Sequence, residues 1–139
     1  MKNKVTIIIL IAAFVIGLVF AKNAINKRDI NGKVEAEEYV ISVNSDTFQS
    51  EVINSDKKVL IDFYADWCGP CQMLSPIVDE VASENKNIKF VRINTDENKT
   101  LANVYRIVYI PTLVLIENGE EIDRLVGLVE KEQIENLIK

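Results

Sequence analysis

The sequence predicts a mixed α/β domain, with a central mixed β-sheet flanked by helices on both faces. Three observations point there. From Tyr39 onward, strand-like apolar runs alternate with segments of helical period. The last two strand-like runs are joined by Asn118-Gly119, a tight hairpin signal, and not by a helix. The only two cysteines, Cys68 and Cys71, sit three apart where a strand pattern gives way to a helix pattern. Strands separated by helices favour parallel pairing, while the hairpin adds an antiparallel pair, so the sheet is mixed.

The elements follow in order. Tyr39 to Val43 is a short strand, and Asn44-Ser45-Asp46 supplies side-chain oxygens suited to capping a helix. In that helix Phe48 and Val52 face inward. Val59 to Tyr64 is a nearly continuous apolar run, as a strand buried on both faces requires. A long helix then reaches about Asn85, with Leu74, Ile77, Val78 and Val81 on one face and Pro76 expected to kink it. Ile88 to Ile93 is a strand. Asp96 to Arg106 is a helix with Leu101, Val104 and Tyr105 at matching spacing. Thr112 to Ile116 and Glu121 to Val126 form the hairpin. Ile134, Leu137 and Ile138 mark the inner face of a closing helix. The order is βαβαβαββα.

The chain has 139 residues and a net charge of −5. Residues 1–31 carry five cationic side chains and one acidic one, +4, which leaves −9 on the remainder. So acidic a domain argues against nucleic acid as a partner and against adhesion to anionic lipid heads. Val5 to Ala21 is free of charge, with Lys2 and Lys4 before it and Lys22 after it. As a helix it spans about 25 Å, short but workable for a membrane crossing. Residues 1–21 are therefore expected to be a transmembrane anchor, with membrane contact through residues 5–21. The alternative is a signal segment cleaved after Val19-Phe20-Ala21, which makes the protein secreted. Residues 22–38 are polar and read as a linker of roughly 20–25 Å if flexible. Lysines on both sides nearly balance the positive-inside rule. The expected arrangement is a single-pass protein of the cytoplasmic membrane with residues 39–139 outside the cytoplasm.

The chemistry lies in Trp67-Cys68-Gly69-Pro70-Cys71. A cysteine capping a helix meets unpaired backbone N–H groups and the positive end of the macrodipole, which favour thiolate, the nucleophilic form. Cys68 is thus expected to be the exposed nucleophile. Cys71, one turn on, is close enough to close a small ring with it. Gly69 permits close backbone approach, and Pro70 suits a first helical turn, where no N–H is needed. A structural zinc site requires about four N or S ligands, and two cysteines without a histidine do not supply them. Asp62 is the one charge in a buried apolar strand, so its pKa is expected to rise. From the residues alone it is either a proton-exchange partner of Cys71 or a structural acid satisfied by a hidden partner.

Asp62-Phe63-Tyr64-Ala65-Asp66-Trp67-Cys68-Gly69-Pro70-Cys71 resembles the active-site signature of the thioredoxin family. The resemblance continues through Pro76, Asn94-Thr95-Asp96, Ile110-Pro111-Thr112, Asn118-Gly119 and Gly127, and covers Tyr39 to Lys139 without a large gap. It implies the thioredoxin fold and a protein-disulfide reductase with no metal or organic cofactor. In that reading Cys68 is the nucleophile, Cys71 resolves the mixed disulfide and Asp62 assists Cys71. Pro111 is a cis proline facing the thiols; an ordinary strand-initiating proline is the alternative. Trp67, Gly69, Pro70, Tyr109, Ile110 and Gly127 form the surface where protein disulfide substrates dock.

Three positions depart from the family pattern. Arg92 stands where a lysine is common near the buried acid; it either reaches Asp62 and lowers its pKa or points to solvent. Tyr64 replaces a frequent tryptophan. Tyr109 replaces a small residue before Ile-Pro and is expected to narrow the range of substrates. Two rival functions remain open: a disulfide oxidant or isomerase for exported proteins, and a docking module that makes no use of its thiols. A dithiol that acts as reductant outside the cytoplasm also needs an electron donor, and a membrane thiol carrier is the expected partner.

Overall fold

The computed structural model describes residues 39–139. The expected anchor or signal within 1–21 and the linker at 22–38 lie outside the described residues. Among the described residues no helix is long and apolar enough to cross a membrane.

Five strands form one sheet: β1 (Val40–Ser42), β2 (Val59–Tyr64), β3 (Lys89–Asn94), β4 (Thr112–Glu117) and β5 (Glu120–Val126). Their order across the sheet is β1-β3-β2-β4-β5. β1 and β2 both run parallel to β3, β4 runs antiparallel to β2, and β5 antiparallel to β4. The central place of β2 explains its composition, because neighbours and covering helices leave none of its faces to water. Val59, Ile61 and Phe63 join one core cluster, with Val91, Ile93, Val114 and Ile116. Leu60 joins the other, with Phe90, Leu113 and Leu115. Strand alternation puts Asp62 on the Leu60 face.

The Leu60 face is covered by α1 (Gly69–Glu84) and α3 (Lys131–Leu137), through Leu74, Val78, Val81 and Ile134. The opposite face is covered by Phe48, Val52 and Leu101. Each such side chain contributes roughly 1.5–3 kcal/mol on full burial, largely offset by the entropy of ordering the chain. α1 continues through Pro76, which lacks the N–H that the Gln72 carbonyl would otherwise accept.

Two helices differ from expectation. The first is a five-residue π-helical turn, Gln49–Ile53, with Phe48 and Val52 buried as anticipated. Asn44 caps the turn that leads into it: its Oδ1 accepts from the N–H groups of Asp46 at 3.0 Å and Thr47 at 3.1 Å. The other is α2 (Lys99–Val104), much shorter than Asp96 to Arg106. Val104 points outward, although the spacing groups it with Leu101 and Tyr105. At about 100° per residue, i and i+4 lie 40° apart while i+3 lies on the other side of i. A helix this short makes only a narrow contact, and Leu101 and Tyr105 fill it. The Tyr105 ring packs 5.7 Å from Phe48 and 5.6 Å from Phe63. At the hairpin, Asn118 (φ 54°) and Gly119 (φ 80°) both take left-handed conformations, as a two-residue primed turn requires.

Candidate active site

β2 ends at Tyr64, and the chain enters α1 through Ala65 to Trp67. Cys68 is the N-cap of α1, with extended backbone (φ −82°, ψ 104°). Its sulfur accepts from the Cys71 N–H at 3.2 Å. Pro70 occupies the first helical turn. Cys68 and Cys71 are joined as a disulfide, with their Cα atoms 5.2 Å apart.

The expectation of an exposed Cys68 is corrected here: both cysteines are 4% exposed. Ala65 is buried with them, and Tyr64 and Ile110 pack against the group. The Cys68 sulfur lies 3.8 Å from the Ile110 carbonyl oxygen. A loop distant in sequence thus covers it, which the local pattern around the cysteines does not encode. Gly69 also differs from expectation. A Cβ there meets nothing within 4 Å, so close approach within the chain does not require glycine.

The covering loop contains the Ile110–Pro111 bond, which is cis. It is held by Thr112 Oγ1, which donates to the Tyr109 carbonyl at 2.7 Å, and by the Gly127 N–H, which donates to the Pro111 carbonyl at 2.8 Å. Gly127 has φ 90°, a conformation that favours glycine, although a Cβ there would have room. Trp67 is exposed and its indole Nε1 donates to Asp96 Oδ2 at 2.8 Å. Tyr109 is 69% exposed, next to a still more exposed Val108, and Met73, two residues past Cys71 in α1, is exposed as well. The sequence assigns no site role to Val108, Met73 or Asp96. The first two carry a usable signal, since each is a large apolar residue within two positions of a predicted site residue.

Behind Cys71 lies a cleft of about 340 Å³. Asp62, Tyr64 and Arg92 line it from the sheet, Ala65 and Asp66 from the loop, and Cys71, Gln72 and Ser75 from α1. Asp62 is 2% exposed. It sits in register with Arg92 on the neighbouring strand. Arg92 does reach the acid: its Nε donates to Asp62 Oδ2 at 3.1 Å. Asp62 Oδ1 is buried without a protein partner. Burial pushes the Asp62 carboxyl above its ordinary range, and the opposing pull of Arg92 does not cancel that rise. Among the described residues no group of three or more His, Cys, Asp or Glu side chains is placed to hold a metal.

A sheet with helices on both faces, and a Cys-x-x-Cys disulfide at a helix N-terminus under a cis-proline loop, define a thiol–disulfide oxidoreductase of one particular class. Residues 39–139 match the family model described as Thioredoxin. The chain is 48% identical over 100 residues to the thioredoxin of Porphyra purpurea, covering 71% of this chain and 94% of that protein. It is 49% identical over 90 residues to thioredoxin 1 of a Nostoc species, covering 64% of this chain and 84% of that protein. It is 45% identical over 94 residues to the thioredoxin of Rickettsia felis, covering 67% and 90%. The chain belongs to the thioredoxin family and is a protein-disulfide reductase acting on protein disulfides.

Proposed function

We propose that the protein is a membrane-tethered reductant of disulfides in exported proteins, with Cys68 as nucleophile and Cys71 as resolving thiol. The observation that carries the assignment of roles is the Cys71 N–H aimed at the Cys68 sulfur at the mouth of α1. That N–H and the helix end stabilise negative charge on Cys68 and not on Cys71.

In the first step the Cys68 thiolate attacks one sulfur of the substrate disulfide. A Cys68–substrate bond forms, the substrate S–S bond breaks, and the other substrate sulfur leaves as a thiolate that takes a proton from water. In the second step Cys71 gives its proton to Asp62 and attacks the Cys68 sulfur. The Cys68–Cys71 bond forms, the mixed disulfide breaks, and the second substrate sulfur leaves as a thiolate. Two electrons have passed to the substrate. Asp62 returns its proton to solvent through the cleft it shares with Cys71. Trp67, Gly69, Pro70, Tyr109, Ile110 and Gly127 receive the substrate chain, and cis Pro111 presents no N–H to the sulfurs.

The membrane reading rests on Val5 to Ala21 and on the short linker at 22–38. Outside the cytoplasm disulfides persist. A reductant there stops after one turnover unless something reduces it again. A membrane-embedded thiol carrier suits that task, because two partners confined to one surface meet at raised effective concentration.

Two measurements test this. The reduction potential of the dithiol falls near the reducing end of the known range for a reductant, and near the oxidising end for a disulfide donor. In intact cells, a membrane-impermeant thiol reagent labels reduced Cys68 and Cys71. If only lysed cells, or only chemically reduced ones, give labelling, the extracytoplasmic reductant is refuted.

A further inference from the structure

We propose that Asp79, which takes no part in the exchange itself, is a positioning residue for the resolving step and acts through Arg92. The proposal rests on the reading of Asp62 as acceptor of the Cys71 proton.

The arrangement is a carboxylate–guanidinium–carboxylate bridge. Arg92 gives its Nε–H to Asp62 Oδ2 at 3.1 Å and its Nη2–H to Asp79 Oδ1 at 3.3 Å. Nε and Nη2 form the edge with which a guanidinium grips a carboxylate through two parallel bonds. Asp79 occupies half of that edge. Asp62 is therefore held by one bond, and its second oxygen, Oδ1, is left buried without a protein partner. A carboxylate gripped twice by arginine is held in its charged form and is a poor base. One gripped once, in a buried site, keeps its affinity for a proton.

The charged and titratable groups around Asp62 are few. β3 presents Arg92, and α1 presents Cys71 and Asp79. Its own strand presents Tyr64 and the following loop Asp66, while β4 offers apolar Leu113 in register. Arg92 is the one cation in this set. Where its second N–H points is thus the main variable the protein can set. Asp79 sets it from eight residues beyond Cys71, on the same helix. The Asp79 side chain is 53% exposed and that of Arg92 20%, so salt screens the outer half of the bridge more than the inner half.

Asp79→Asn replaces the charged outer anchor by a neutral amide oxygen, which weakens its hold on Nη2, lets that N–H turn onto Asp62 and removes a negative charge near Asp62. The proton affinity of Asp62 then falls. The test is resolution of a preformed mixed disulfide with a peptide thiol in the full-length protein, followed by fluorescence of Trp67, the single tryptophan of the chain. The rate is measured against pH at low ionic strength. For Asp79→Asn the midpoint moves toward acid by about half a pH unit, the scale of one partly exposed charge pair, and the high-pH plateau drops. Asp79→Glu restores the parent profile. The shift is absent when Asp62→Asn is already present, and it shrinks in molar salt. A parent-like profile for Asp79→Asn, or a shift that survives in Asp62→Asn, overturns the coupling. An Asp62→Asn protein that resolves at the parent rate overturns the proton-acceptor role instead, so the two failures are distinct.

Discussion

The backbone N–H of Cys71 points at the sulfur of Cys68 across 3.2 Å. Two effects compete at that sulfur. Burial under the Ile110 loop favours the neutral thiol, while the N–H and the open end of α1 favour the thiolate. A helix end can contribute up to about 2 kcal/mol in a partly buried site, and a direct N–H bond to a charged group adds to it. The thiolate is expected to win. In a Cys71→Ser protein, the alkylation rate of Cys68 titrates below the free-thiol value of about 8.5. A midpoint at or above that value contradicts the assignment.

Tyr109 stands 69% exposed beside the cis bond, and its backbone carbonyl, not its ring, holds Thr112. Tyr109→Gly therefore trims the docking surface and keeps the loop's internal bond. For a folded protein disulfide, kcat/KM is expected to rise several-fold, the effect of about 1 kcal/mol of relieved obstruction. For a small-molecule disulfide it stays unchanged. Equal effects on both substrates exclude selective gating by the ring.

Asp62 also predicts a pH-dependent stability. Its folded-state pKa is raised chiefly by burial, so the folded protein binds a proton that the unfolded chain has released. The stability linked to this group is fully present below the unfolded carboxylate pKa of about 3.9 and is lost as pH rises through the folded value. Asp62→Asn removes that loss. It is expected to stabilise the fold at pH 7, with the gain vanishing near pH 4. Denaturant titrations of both proteins across that range measure it. A gain that is constant with pH, or a net loss at pH 7, defeats the account.

Arg106 follows α2 with φ 52°, a left-handed conformation that costs a side-chain-bearing residue free energy. It is exposed, and its N–H already closes the turn onto the Asn103 carbonyl. Arg106→Gly removes the strain without removing the backbone bond. A gain of about 1 kcal/mol is expected, read as a higher denaturant midpoint at unchanged m. A lower midpoint shows that the arginine side chain holds the turn.

The elements of the described domain were legible because they depend on neighbours within a few residues. β2 announces its burial by having apolar residues on both faces. The Asn118-Gly119 pair names its own turn, and the helix cap at Cys68 follows from the strand-to-helix switch and Pro70. Limits on such reading appear where the element is short. The contact face of α2 holds Leu101 and Tyr105 and excludes Val104, a choice made by Phe48 and Phe63 and not by spacing.

What the sequence determined by itself was the alternation of elements, the paired cysteines and the presence of one acid in an apolar strand. All of these follow from local periodicity and residue chemistry. The tertiary structure decided what surrounds each group. It brought Ile110 over Cys68 and made the nucleophile buried. It resolved the open question of Arg92 by pairing β2 with β3 in a register that sets Arg92 beside Asp62. It placed Asp79 at the other end of the same guanidinium. Burial and charge pairing are sums over groups far apart in sequence, so the proton affinity of Asp62 depends on residues 17 and 30 positions away, which only the assembled sheet and helix bring together.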